Sequence, residues 1–160
     1  NSVTNGNGNV GIGYTALATN TSSNNTAVGH AALVANEGGT ELVAVGANAL
    51  DANTTANYNT AVGSHALINN TTGTHNVAVG YKTLHTVTTS GDNTCIGNYA
   101  GYYSEGQKNT FMGYTAGYGS ASGTTGSYNT GIGLNALINF TTGSSNAAVG
   151  AYALDSCTTA

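Results

Sequence analysis

A string of the form Asn-Thr-Ala-Val-Gly returns nine times in this 160-residue chain, and its spacing limits what the chain can fold into. Aligned on the glycine, it recurs at Gly13, Gly29, Gly46, Gly63, Gly80, Gly97, Gly113, Gly133 and Gly150, at intervals of 16, 17, 17, 17, 17, 16, 20 and 17 residues. Two-helix repeats and propeller blades need roughly 33 residues or more, so neither fits. One turn of a β-solenoid does fit, because each coil buries its apolar face only by stacking on its neighbours. The expected architecture is an all-β β-solenoid (β-roll) of nine coils, forming a single repeat domain over residues 1–160.

Abundant Asn, Thr, Ser and Gly with little charge also suits a disordered chain. Disorder is rejected here because the apolar residues hold strict columns through all nine copies. Only eight side chains carry charge at neutral pH, the net charge is −4 and Arg is absent. Nothing is therefore available to neutralise a run of phosphates, which argues against nucleic acid as a partner. No apolar run approaches the ~20 residues of a membrane helix, and no signal segment is recognisable, so no membrane insertion is expected. The chain starts at Asn1 without an initiator Met, which suggests a mature product or a segment of a longer fibre.

The columns of the repeat predict its local structure. Just before each glycine stands Ile12, Val28, Val45, Val62, Val79, Ile96, Met112, Ile132 or Val149. This column reads as a strand facing a dry core, joined on the same face by Val10, Thr26, Val43, Thr60, Val77, Thr94, Thr110, Thr130 and Ala147. Between them lie small residues, Gly11, Ala27, Ala44, Ala61, Ala78, Cys95, Gly131 and Ala148, with Phe111 the exception. The small column is read as a second face, through which another chain packs closely. The nine glycines are expected at corners with positive φ. Four residues after each comes Leu, except that Gly101 and Gly117 replace it in two coils. Two large apolar groups per coil, at ~1.5–3 kcal/mol each, scarcely offset the ordering entropy. Association into an oligomer is the natural remedy.

Four residues before the glycine, Asn recurs as Asn9, Asn25, Asn59, Asn76, Asn93, Asn109, Asn129 and Asn146, broken only by Leu42. A stacked column of amides predicts a structural ladder bonded to its neighbours and to turn backbone. Thr pairs in the connecting turns (Thr54–Thr55, Thr71–Thr72, Thr88–Thr89, Thr141–Thr142 and Thr158–Thr159) read as a second ladder, and less readily as an ice-binding array. Asn-x-Ser/Thr triplets at Asn20, Asn24, Asn53, Asn69, Asn70 and Asn139 are candidate glycan acceptors.

The run NTCIGNYAGYYSEGQKNTFMGYTAGY (residues 93–118) resembles the NTFxGxxAG repeats of bacterial surface proteins and of phage or large-virus tail fibres. The run NTAVGSHALINNTTGTHNVAVGYKTL (residues 59–84) belongs to the same pattern. The chain is also similar, with a longer repeat, to the head repeats of trimeric autotransporter adhesins. That resemblance implies coils of three chains packed side by side around a threefold axis, on a cell surface or a virion.

Catalysis needs convergent acids, bases or nucleophiles. Here the carboxylates are scattered, and His30, His65, His75 and His85 share no column. No pair has metal-ligand spacing, so no enzyme activity, cofactor or metal is expected. Cys95 reads as a small buried residue, and Cys157 lies too many coils away to bridge to it. Pairing of Cys157 between chains is the lesser alternative. The candidates for specific contact are Tyr99, Tyr102, Tyr103, Tyr114 and Tyr118, next to the 20-residue interval that inserts residues 119–123. Exposed Tyr rings stack on sugars and anchor interfaces. The competing explanation is that they fill the space left where Leu became Gly101 and Gly117. Taken together, the expectation is a structural component of an extracellular fibre: a rigid shaft or head for surface attachment, homotrimeric, contacting a cell-surface glycan or a protein receptor. A subunit polymerising head to tail and an ice-binding solenoid are the alternatives.

Overall fold

The computed structural model describes residues 6–156 and Thr158. Nine three-residue strands run from β1 (Val10–Ile12) through β2 (Thr26–Val28), β3 (Val43–Val45), β4 (Thr60–Val62), β5 (Val77–Val79), β6 (Thr94–Ile96), β7 (Thr110–Met112) and β8 (Thr130–Ile132) to β9 (Ala147–Val149). They form one parallel sheet in sequential order. Every pairing joins equivalent residues, as in Thr60↔Val77, Ala61↔Ala78 and Val62↔Val79. The fold is thus an all-β parallel solenoid without helices among the described residues. Nine strands enclose eight connections, so the chain makes about eight full turns rather than nine.

The strand faces are the reverse of those expected. The small column points inward: Ala27, Ala44, Ala61, Ala78, Cys95 and Phe111 have no exposed surface. The β-branched column points outward, with Ile12 60%, Ile96 37%, Met112 39% and Val149 73% exposed. The reason is the width of the coil. Leu17, Leu33, Leu50, Leu67, Leu84 and Leu137 reach across from the opposite side and are fully buried. Even a Cβ placed on Gly11 or Gly131 would already lie 3.4 Å from Cδ1 of Leu17 or Leu137. There is room for Ala opposite Leu and for nothing larger.

Where the strand does supply a large residue, the Leu is gone. Phe111 points inward from β7, and its ring occupies the space where a Cβ on Gly117 would stand. A Cβ on Gly101 would meet Leu84 Cδ2 at 2.9 Å and Cys95 Sγ at 3.0 Å. Phe111 also packs on Phe140, with centroids 5.2 Å apart. Phe111 therefore fills the volume vacated at Gly117, and Leu84 and Cys95 close in on the volume vacated at Gly101.

Outside the strands the chain keeps its backbone bonds aligned with the stack by repeated left-handed residues. The 24 non-glycine residues with positive φ fall into three columns, typified by Tyr58 (φ 60), His65 (φ 60) and Leu67 (φ 50). The left-handed conformation costs an L-residue roughly 1–2 kcal/mol. Each of these three is compensated by a bond to a neighbouring coil: Tyr58 N–H to Thr40 O, His65 N–H to Ala47 O and Leu67 N–H to Thr83 O, at 3.2, 2.9 and 3.0 Å. The corner glycines have φ between 125 and 141°, and a Cβ on Gly63 would overlap the carbonyl of Gly80 in the next coil.

Because the Val and Ile column lies outside, the interior is completed by amides. Asn76 N–H donates to Asn59 Oδ1 at 2.8 Å, and Asn93 N–H to Asn76 Oδ1 at 3.1 Å. Each side-chain amide then donates across the coil, Asn59 to Gly73 O at 2.7 Å and Asn76 to Ser90 O at 2.9 Å. A second buried column, Asn20, Asn36, Asn53 and Asn70, was not anticipated. Asn36 donates to Asn20 Oδ1 at 2.6 Å, Asn53 to Asn36 Oδ1 at 2.9 Å and Asn70 to Asn53 Oδ1 at 3.3 Å. It ends where Val87 takes the next position, leaving Asn70 Oδ1 without a hydrogen-bond donor. Three candidate glycan acceptors, Asn20, Asn53 and Asn70, belong to this column and are at most 1% exposed, so folded coils cannot present them. Thr hydroxyls of the turns form a further ladder: Thr71 Oγ1 donates to Thr88 O at 3.0 Å and Thr141 Oγ1 to Thr158 O at 2.6 Å.

Candidate functional site: an aromatic face on coils four to eight

Rings gather on one side of the solenoid because two short-range columns converge there. Residues one and two positions after the corner glycine supply His65, Tyr81, Tyr99 and Tyr114, while the column following each Leu supplies His85, Tyr102 and Tyr118. Tyr103 follows Tyr102 directly. Ring contacts link all eight residues into one network, its two halves joined by Tyr99 against Tyr102 at 5.8 Å. It contains the five tyrosines singled out in the sequence. It also contains Tyr81, His65 and His85, which sequence reasoning passed over because it compared the histidines with one another rather than with the tyrosines of neighbouring coils.

The network divides into two parts. Tyr102 is sandwiched, with His85 on one side (4.6 Å between centroids, 9° between planes) and Tyr118 on the other (5.3 Å, 17°). Tyr103 abuts both tyrosines edge-on, at 4.6 and 5.3 Å. Tyr102 and Tyr103 are thus committed to packing within the patch. Tyr99 instead stands 6.3 Å from Tyr114 and 6.5 Å from Tyr118, at steep angles of 84° and 60°. These three rings splay around a cavity of about 350 Å³, completed by Thr115 and Ile138. Tyr114 is exposed, whereas Thr115 is buried and hydrogen-bonded to Asn135 Oδ1 and to the carbonyl of Tyr114.

The insertion frames the patch from one side. Its exposed residues bulge outward at residues 121–123, and the chain re-enters the stack at Thr124, which bridges to Ser104 in parallel. Thr124 Oγ1 accepts the Ser120 N–H at 2.7 Å, closing the loop on itself.

Electrostatics around the patch are mild. Burial pushes the Tyr118 phenol above its ordinary pKa, with the neighbouring Tyr103 and Tyr102 adding to the effect, so it remains a neutral donor and acceptor. Burial also lowers the His85 imidazole, helped by the Lys82 charge and by His65. Its stacked ring is therefore neutral at physiological pH. The Lys82 ammonium lies 5.4 Å from the Tyr81 centroid, and its pKa is raised by the hydrogen bond to Tyr81. Glu105 is raised by burial.

Among the described residues no group of three or more His, Cys, Asp and Glu side chains is arranged to hold a metal ion. Cys95 is a free, buried thiol whose pKa is pushed far up by burial. Cys157 lies outside the described residues, as does Thr159 of the last turn pair. No helix of the described chain is long and apolar enough to cross a membrane. No protein-family model matches this chain, and no curated protein or solved structure matches it significantly.

Proposed function

We propose that this chain is a structural element of an extracellular fibre, a rigid shaft or head used for surface attachment, with coils packed side by side as a homotrimer. The observation that carries this reading is the outward face of the sheet. It presents an unbroken row of Val, Ile and Met along nine strands, with exposed Val10, Ile12, Val43, Ile96 and Ile132. Contiguous apolar strips of this kind on a soluble protein mark interaction sites. The strip carries no charge that would repel a like copy.

Its size favours three chains over two. A strip nine strands long at ~4.8 Å each and three residues wide covers on the order of 400 Å², half of what one partner contributes to a standard interface. Around a threefold axis each strip meets two neighbours, and the adjoining corner with exposed Tyr58 and Tyr128 adds further apolar area. This reading replaces the small-residue face expected from the sequence, because those residues are inside the coil. Ice binding through the turn Thr pairs is the weaker alternative: the hydroxyls of Thr71 and Thr141 are engaged within the stack, which leaves the exposed second members, such as Thr72 and Thr142, as the row facing outward from those turns.

Light scattering coupled to size-exclusion chromatography tests the proposal. The expected mass is three times the 15.8 kDa chain. Val62→Lys with Val79→Lys, both on the outward face, should reduce it to one chain while circular dichroism retains the β-solenoid signal. A single-chain mass at every concentration would overturn the trimer. Fibres many times longer than the particle, seen by electron microscopy, would instead identify a head-to-tail polymer.

A further inference from the structure

We infer that the cavity between Tyr99, Tyr114 and Tyr118 is a binding site for a neutral saccharide of one or two pyranose rings. This gives the attachment role proposed above a ligand class, and rests on that reading for its biological meaning but not for its test. Three features of the site support it. The first is free ring surface. Tyr102 has both faces covered, whereas Tyr118 is stacked on one face only, and it lines a common cavity with Tyr99 and Tyr114, whose rings are not stacked on it. A pyranose offers a matching surface, a flat patch of C–H groups edged by hydroxyls, and aromatic rings with a polar tip suit such a half-apolar ligand.

The second feature is size. At about 350 Å³ the cavity lies at the small end of ligand sites, which run ~300–1,000 Å³. It is large enough for a mono- or disaccharide. The third is charge. Tyr99, Tyr114, Thr115, Tyr118 and Ile138 line the cavity, and none is ionised. The phenol of Tyr118 is held neutral by its surroundings, and the Thr115 hydroxyl is already engaged with Asn135. A carboxylate or sulfate on the sugar would find no cation in the lining, so the site selects uncharged rings. Orientation would come from the phenolic hydroxyls.

The site is also stiffly supported. Thr115 N–H donates to Asn98 O at 3.0 Å and Tyr118 N–H to Thr115 O at 3.2 Å, which holds the Tyr114–Tyr118 turn against its neighbours. Tyr99 N–H is held by Tyr81 O at 2.9 Å. Little ordering remains to be done when a ligand enters, which matters for a weak site whose affinity depends on preorganisation.

The experiment is a titration of the whole chain, labelled at tyrosine ring carbons, with cellobiose, lactose and sialyllactose, followed by nuclear magnetic resonance. The expected result is saturable shifts of Tyr99, Tyr114 and Tyr118 with a neutral disaccharide, at a dissociation constant of about 1 mM. Tyr114→Ala and Tyr118→Ala should each weaken binding about tenfold. Tyr118→Phe, which keeps the ring, should bind within about threefold of the parent. Tyr114 is exposed, so its replacement keeps the test valid should Tyr118→Ala disturb the fold. No ring shift with either neutral disaccharide, or affinity unchanged in both alanine variants, would overturn the site. Tighter binding of sialyllactose, abolished by Lys82→Gln, would overturn its selectivity for neutral sugars. Failure of the fibre reading shows separately, in the particle mass, which this titration does not measure.

Discussion

Phe111 and Gly117 exchange volume across the coil. In the regular coils an Ala of the strand faces a Leu of the opposite turn, and both are fully buried. In the seventh repeat the large group comes from the strand, and the position opposite has no side chain. Gly117 (φ 59) keeps the left-handed backbone that Leu67 (φ 50) has, so the turn itself is unaltered. Phe111→Ala should cost about 3–5 kcal/mol, since nothing can collapse into the space left behind. Adding Gly117→Leu rebuilds the regular Ala–Leu pair and should recover more than half of that loss in urea denaturation. No recovery would mean that the ring and the glycine are not a compensating pair. Both departures are visible in the sequence as single exceptions to their columns. Their pairing is not, because the two positions meet only when the coil closes.

At the scale of the element, the Asn column stabilises the stack through bonds that no other side chain supplies. Asn76 accepts from Asn93 N–H and donates to Ser90 O, both deep in the stack. Asn76→Ala leaves these groups buried and unpaired, at about 1–3 kcal/mol each, so a loss of about 2–6 kcal/mol is expected by urea denaturation. Asn146 caps the described ladder in a half-buried position, bonded to Asn129 Oδ1 at 3.0 Å. Asn146→Ala should cost no more than about 1.5 kcal/mol. Equal losses at the two sites would show that burial is not what makes the amide valuable. The first ladder was legible from its strict period. The second was not: Asn53 and Asn70 stand before Ser or Thr two residues on, and look like surface acceptors until the turn is seen to fold them inward.

For the molecule as a whole, stability is passed from coil to coil, since each contacts little but its neighbours. The corner glycines are tight joints in this array, with backbone lying directly on backbone. Gly63→Ala combines a φ of 138° with overlap of the Gly80 carbonyl, so it should destabilise by about 2–3 kcal/mol or more. Because it disrupts a central joint, we also expect the single unfolding transition to broaden or split as the two halves uncouple. Gly38→Ala is the control: its added Cβ would meet only Thr55 Cγ2 at 3.6 Å, and it should change stability by less than about 0.5 kcal/mol. A sharp, unshifted transition in Gly63→Ala would contradict the account of the corner.

The repeat period by itself determined the solenoid, the parallel sheet and the register, because stacking equal coils makes each column meet its own copies. It also grouped the five tyrosines in two adjacent coils beside the insertion. Only the tertiary structure decided which parity of the strand faces inward. A period of two in which both columns are apolar, Ala against Val, is silent on that choice; the reach of Leu across a narrow coil settles it by leaving room for Ala alone. The same closure turned the Val and Ile row out to solvent and separated the sandwiched ring of Tyr102 from the rings of Tyr99, Tyr114 and Tyr118 that line the cavity. Those distinctions depend on contacts between residues far apart in the chain, whose distances no local pattern records.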